Sequence, residues 1–328
     1  MPSDISALHG TDAAYREKYG KIIGVDEAGR GPLAGPVTAA AVMFAPDKHH
    51  DLIRDSKKLS EKQREIAYAW ITDNAEKWSV YTLGVQSINK MNILRAALKA
   101  MEEAVSRLEE PAAGVLVDGD HIPDALQGRA DALTGGDRSS FCIAAASILA
   151  KVSRDRIMRR WAEIFPEYGF DKHKGYGTPE HIRALDTCYP CPIHRRYFDP
   201  VKHFRFPHRP GEKQLGRWGE NWAIYYLILK GYRFVTRNYY GGNSGEIDII
   251  MYDGEQYIMI EVKTSFDKDM YDMAERITDA KIEKMMLAAE RYFYDLNISE
   301  YHVRFDAVIV SGNNWFTPHI EHFENIIG

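Results

Sequence analysis

The chain has 328 residues, 45% of them hydrophobic, 27% charged and 12% aromatic, a composition that excludes disordered, collagen-like and membrane classes and leaves room for one large or two ordinary domains. Three cysteines, Cys142, Cys188 and Cys191, exclude a disulfide scaffold. With no apolar run near the roughly 20 residues of a membrane helix and no signal-like start, they point to the cytoplasm and away from a membrane partner. The net charge of −5 divides unevenly, with 30 Lys+Arg against 28 Asp+Glu in residues 1–210 and 12 against 19 in residues 211–328, which predicts two units and a front half better suited to anionic partners.

Buried strands are expected at 21–26 and 36–44, joined by a glycine-rich turn. A helix over 60–76 with Ser60 as N-cap, a strand over 78–85, a longer helix over 87–108 and a short buried strand over 114–117 follow. Met91, Leu94, Leu98 and Met101 form the core stripe of the longer helix. A helix over 139–161 carries Ala144, Ala145 and Ala146, small enough for close packing. Strands alternating with helices predict an α/β sandwich. Over 189–210 the pattern dissolves into Pro190, Pro192, Pro200, Pro207 and Pro210, which marks a domain edge. Beyond it come a helix to 230, strands at 232–237, 246–251 and 256–264, a helix from about 274 to 294 and a strand over 303–310. That αβββαβ order predicts a second, smaller α/β domain, and the chain divides into 1–207 and 208–328.

Four acids stand out in the front half. Asp26 and Glu27 end a strand before Gly29-Arg30-Gly31, Asp118 ends another before Gly119, and Asp155 lies well inside the helix over 139–161. Any one of them alone is more simply a cap or an ion-pair partner of the nearby arginines. Together, at strand ends where α/β sites are built, they point to a cage for hard divalent cations such as Mg²⁺, a pair of which activates water and stabilises a phosphodiester's leaving oxygen. Asp26 and Glu27, as strand neighbours, point to opposite faces, so sharing a site calls for a distortion that Gly29 and Gly31 can supply.

The stretch from Gly24 to Val37, GVDEAGRGPLAGPV, resembles the signature of ribonuclease HII. The resemblance continues through Asp55-Ser56-Lys57-Lys58-Leu59-Ser60, Val117-Asp118-Gly119, the run from Ala144 to Asp155, and His173-Lys174-Gly175-Tyr176-Gly177-Thr178, covering about residues 20–207. It implies an RNase H-like fold and an Mg²⁺- or Mn²⁺-dependent endonuclease serving DNA repair and replication. Such an enzyme cuts the RNA of hybrids, and single ribonucleotides in duplex DNA, on the 5′ side to leave 5′-phosphomonoesters. Asp26, Glu27, Asp118 and Asp155 match the family's metal-binding acids. The Gly29-Arg30-Gly31 turn matches the element that reads the ribose 2′-hydroxyl with backbone groups, and Tyr176 the ring that stacks on the following deoxyribose. Lys57, Lys58, Lys172, His173 and Lys174 are expected as phosphate contacts. His194, Arg195 and Arg196 resemble the family's late basic motif. Gly29, Gly31 and Gly35 have the wrong spacing for a dinucleotide loop, and Cys188 and Cys191 lack the second pair of a zinc ribbon.

In the tail, Asp248 and the pair Glu261 and Lys263 fall on successive expected strands, with Glu220 on the helix before them. Glu261 and Lys263, two apart, share a strand face. Their order is that of the PD-(D/E)xK nucleases, and the wider stretch, with Gly216-Arg217-Trp218-Gly219-Glu220, Arg237-Asn238-Tyr239 and Arg304-Phe305-Asp306, resembles the restriction-endonuclease-like YraN family across about 212–311. The resemblance implies no settled substrate, and two readings of the tail stand open: a second nuclease site, or a module that docks DNA or a repair protein.

Overall fold

A computed structural model describes residues 4–207, 211–266 and 278–327. They divide into two compact units, Met1–Ile182 with Ile193–Asp199, and Arg183–Pro192 with Pro200–Gly328.

The first unit opens with α1 (Asp4–Tyr19), then β1 (Ile22–Ala28), β2 (Val37–Met43), α2 (Glu61–Asn74), β3 (Lys77–Leu83), α3 (Val85–Met91), α4 (Ile93–Ser106), β4 (Gly114–Asp118), β5 (Ala130–Leu133), α5 (Phe141–Ile164) and the short α6 (Phe170–His173). Its sheet runs β3-β2-β1-β4-β5. β1 is antiparallel to β2 and parallel to β4, and β4 is parallel to β5. This is the mixed α/β arrangement expected of an RNase H-like domain. Side chains alternate along β1. Ile22 joins Val42, Leu116, Phe141 and Ala144 in a core with α5, and Ile23 and Val25 join Ala41, Val115, Met101 and Val105 in a core with α4. Asp26 therefore leaves β1 on the α5 side.

Local chemistry sets the ends. Ser60 and Gln63 form a capping box for α2, and the Ser140 hydroxyl accepts from the Ile143 N–H to start α5. The single helix expected over 87–108 is two helices. Asn92, at φ 72°, turns the chain between them, and its side chain accepts from the Arg95 N–H to cap α4. At φ 72° and ψ 167° this is a strained backbone for a residue with a side chain, imposed by the packing of the two helices rather than by residue type, so an apolar rhythm that continues across it does not betray the break.

The helix α7 (Pro179–Cys188) spans the boundary between the two units. The second unit continues with α8 (Glu212–Leu229), β6 (Arg233–Tyr240), β7 (Glu246–Tyr252), β8 (Tyr257–Ser265), α9 (Asp279–Asp295), β9 (Val303–Ser311) and β10 (His319–Phe323). Its sheet runs β10-β9-β8-β7-β6, with β8 and β9 parallel. The αβββαβ order stands, with one unforeseen edge strand, β10. Thr278 caps α9; residues 274–277, expected as its start, lie outside the described residues. Met285, Ala288 and Phe293 of α9 pack on Ile247, Ile250, Met259 and Phe305. No helix among the described residues is long and apolar enough to cross a membrane.

Candidate active site

β1 and β4 run parallel with Val25 opposite Val117, so Asp26 and Asp118 emerge together at the carboxyl end of the sheet. Asp26 is 5% exposed, and its Oδ1 accepts from the Glu27 N–H at 2.6 Å. Burial, then the charges of Glu27 and Asp118, push its carboxyl well above the usual carboxylate range. Burial also pushes Glu27 up to about 7, against the pull of Arg30 and with Asp118 adding to the rise. The backbone distortion expected between Asp26 and Glu27 is absent. They pair in register with Ala40 and Ala39, and they meet through charge at the strand end; the chain bends only later, at Gly29.

Each remaining acid has a partner. Asp118 Oδ1 accepts the Gly136 N–H at 2.6 Å, Arg30 Nη1 lies 3.5 Å from Glu27, and Asp155, 3% exposed on α5, pairs with Lys151 Nζ at 2.7 Å. As they stand, no three Asp, Glu, His or Cys among the described residues are gathered closely enough to hold an ion. The donor chemistry nevertheless fits a hard cation: Asp26, Glu27 and Asp118 are like charges in a desolvated place, the arrangement that a divalent ion relieves. A fifth acid escaped the sequence reading. Asp137, 5% exposed, is raised by burial and by Asp118, and its carboxylate lies 3.9 Å from Lys57 Nζ and 3.8 Å from Arg138 Nε.

The glycine turn is held from beneath. Gly29 has φ 107°, and a Cβ there would sit 2.3 Å from Arg154 Nε and 2.7 Å from the Pro36 carbonyl, so only glycine fits. Gly31 lies beside Tyr176, whose Cε1 would be 3.7 Å from a Cβ at that position. The Tyr176 ring is 44% exposed, with Lys151 Nζ 5.9 Å and the Arg154 guanidinium 6.0 Å from its centre. Its carbonyl accepts from His181 Nδ1 at 2.9 Å, and His181 Nε2 meets His194 Nε2 at 3.0 Å. Burial pushes His181 down to about 4, so this ring is neutral, and with Nδ1–H given to the Tyr176 carbonyl its Nε2 accepts a hydrogen bond from His194 Nε2–H.

The lysines differ among themselves. Lys57 and Lys58 are exposed, their turn fixed by Asp55 Oδ1 accepting the Lys57 N–H at 3.0 Å. Lys172 pairs with Glu180 at 3.0 Å, whereas Lys174 is buried with its ammonium on the Asp171 carbonyl. Arg154 and Arg195, both fully buried, had no individual role in the sequence reading. Nothing in residue type separates a buried arginine from a solvated one.

In the second unit, Asp248 on β7 and Glu261 and Lys263 on β8 come together. Burial, then Glu261, pushes Asp248 up to about 7, and its Oδ2 accepts the Val262 N–H at 2.7 Å. Glu261 is 2% exposed, with Lys263 Nζ 2.7 Å from one oxygen and Lys281 Nζ, on α9, 2.9 Å from the other. Lys281 had no sequence signal, because it reaches the pair from a helix 20 residues downstream. Glu220 is taken up by Arg237 at 2.5 Å, although its charge still reaches Asp248.

The comparisons fall on the same two stretches. The Ribonuclease HII family model matches residues 23–201, and that of Uncharacterised protein family UPF0102 matches residues 219–310. Ribonuclease HII of Idiomarina loihiensis is 53% identical over 181 residues, covering 55% of this chain and 96% of its own. Ribonuclease HII of Xanthomonas campestris pv. campestris (strain B100) is 48% identical over 204 residues, 62% of this chain and 85% of its own. The crystal structure of ribonuclease H2 from Pyrococcus horikoshii OT3 aligns with a TM-score of 0.49 and 26% identity, over 56% of this chain and 96% of that one. The acids at the ends of β1 and β4, the glycine turn and Tyr176 all lie within the matched stretch, and this chain belongs to the ribonuclease HII family, with a UPF0102 (YraN-like) domain following.

Proposed function

We propose that this ribonuclease cuts the RNA strand of RNA–DNA hybrids, and single ribonucleotides embedded in duplex DNA, on the 5′ side of the ribonucleotide to leave 5′-phosphomonoesters. The reading is carried by one observation: Asp26, Glu27 and Asp118 meet at the carboxyl ends of two parallel strands, with the first two carboxyls pushed upward by burial and by the charge of Asp118. Asp26, Glu27, Asp118 and Asp155 would hold Mg²⁺ or Mn²⁺. When bound, such ions lower the pKa of water and offset charge on the leaving oxygen. The chain's own residues do the rest. The Gly29-Arg30-Gly31 turn meets the ribose with main-chain groups, the exposed face of Tyr176 takes the next sugar, and Lys57 and Lys58 meet the phosphates as flexible point charges. Because the 2′-hydroxyl alone separates RNA from DNA at a sugar, recognition and cutting are tied to the same turn. The enzyme works in the cytoplasm in ribonucleotide removal during repair and replication.

The test is end-group analysis. The purified chain, with Mg²⁺ or Mn²⁺ and a duplex carrying one ribonucleotide, should yield a 3′-hydroxyl on the upstream DNA and a 5′-phosphate on the ribonucleotide. An all-DNA duplex should survive the first site. A 2′,3′-cyclic phosphate product would overturn the mechanism, because it means that the 2′-hydroxyl, not water, attacks.

A second reading concerns the tail. The buried Asp248, raised by the charge of Glu261, with Lys263 and Lys281 on Glu261, favours a second divalent-ion site and a DNA nuclease there over a passive docking module. In the full chain with the first site disabled by Asp118→Asn, calorimetry should find divalent-ion binding that Asp248→Ala with Glu261→Ala removes. No such binding leaves the docking module.

A further inference from the structure

Arg154 and Arg195 are both wholly buried against one turn of chain. Arg154 donates to the carbonyls of Pro36 at 2.9 Å, Lys174 at 3.0 Å and Ala34 at 3.1 Å. Arg195 donates to the carbonyls of Gly35 at 3.0 Å, Arg30 at 2.8 Å, Gly29 at 2.5 Å and Pro36 at 3.1 Å. All these acceptors are main-chain oxygens, so the two guanidinium forks set the direction of peptide planes. The arrangement is costly: burial, then the neighbouring charge of Arg154, pushes Arg195 down to about 9.

A trans peptide is planar, and its C=O and N–H point opposite ways. With the Gly29 and Arg30 carbonyls turned inward to Arg195, the N–H groups of Arg30 and Gly31 turn outward. Neither donates to another main-chain group among the described residues, and Gly31 lies beside the exposed Tyr176 ring. We propose that Arg195 is the positioning residue for ribose recognition, its fork aiming the Arg30 and Gly31 N–H groups as a pair of donors at the 2′-hydroxyl oxygen. Arg154 holds the other limb of the turn, at Ala34 and Pro36, and ties it to Lys174 ahead of Tyr176. This rests on the reading that the Gly29-Arg30-Gly31 turn meets the ribose. A lysine at 195 keeps the charge but has a single nitrogen, which cannot span the four carbonyls.

The experiment measures the ribonucleotide preference in binding. Full-length protein, with Ca²⁺ to prevent turnover, is titrated against a duplex containing one ribonucleotide and against its all-DNA counterpart. Wild type should prefer the former by about tenfold, the worth of one or two hydrogen bonds. Arg195→Lys should abolish that preference, with the loss confined to the ribonucleotide duplex. An Arg195→Lys protein that binds both duplexes more weakly but retains the ratio overturns the proposal and leaves Arg195 as packing. Should that variant not fold, amide NMR of the wild type decides: the Arg30 and Gly31 N–H resonances should shift with the ribonucleotide duplex and not with all-DNA duplex, and equal shifts with both overturn it. A wild type that shows no preference and cuts no ribonucleotide duplex overturns the underlying reading itself; a preferring, cutting wild type with an unaltered Arg195→Lys ratio overturns the role of Arg195 alone.

Discussion

Glu27 carries a pH-dependent cost. Burial holds its carboxyl at about 7 in the folded chain, above the roughly 4.3 of an unfolded glutamate. The unfolded state therefore gives up its proton first, and folding stability falls as pH rises between these values, with the full penalty present above about 7. Glu27→Gln removes that penalty. At pH 8 in a chelator, the variant should be more stable than wild type by on the order of 2 kcal/mol, the gap closing toward pH 5. Thermal unfolding across that range checks this, and adding Mg²⁺ at pH 8 should raise the melting temperature of wild type more than that of the variant. A variant no more stable at pH 8 would mean that burial does not raise the Glu27 carboxyl. The acids were legible in the sequence because their type is specific and strand ends mark where they sit. Arg154 and Arg195 were not, because their role depends on carbonyls drawn from Gly29 to Pro36 and Lys174, a cluster that exists only once the turn has closed.

At the scale of elements, the approach of β1 to α5 sets the distance from Asp26 to Asp155. A Cβ at Gly24 would lie 2.2 Å from the Cys142 carbonyl carbon and 2.3 Å from the Ile143 nitrogen, so strand and helix touch backbone to backbone. Gly24→Ala must push α5 away, at a cost of about 3 kcal/mol or more. It should lower the melting temperature and reduce cleavage beyond what unfolding explains, measured as kcat on protein that is still folded. Wild-type kcat in such a variant would show that the α5 spacing does not matter. β1 to β4 and α5 were readable because apolar and small-residue runs mark them. β5, only Ala130–Leu133, has no β-branched residue, and β10, His319–Phe323, breaks the polar–apolar alternation at Glu321 and His322 on an edge of the sheet. Such segments become strands through their neighbours rather than through their own propensity.

For the whole molecule, the proline-rich edge was visible as composition, but membership of the units was not. Arg183–Pro192 belongs to the second unit, where Tyr189 stacks on Trp315 with ring centres 4.7 Å apart, and Phe206 lies 4.4 Å from the same ring. Pairings across more than 100 residues leave no local trace. A fragment of residues 1–207 should keep ribonucleotide-directed cleavage within a few-fold of the full chain, since its acids, turn and Tyr176 all precede the edge. With Tyr189 and Phe206 uncovered, it should also aggregate more readily on size-exclusion chromatography. A monomeric, folded fragment without activity would mean that the second unit completes the first site.

The central claim is that the acids at the carboxyl ends of β1 and β4 do the cutting, and Asp118→Asn tests it most directly. An amide keeps the shape and can still accept the Gly136 N–H, but it cannot supply the charged oxygen that a hard cation needs. Cleavage of a single-ribonucleotide duplex in Mg²⁺ should fall by at least ~10³ while the melting temperature in a chelator stays at or above that of wild type. A folded Asp118→Asn protein that cuts this duplex at close to the wild-type rate would contradict the account.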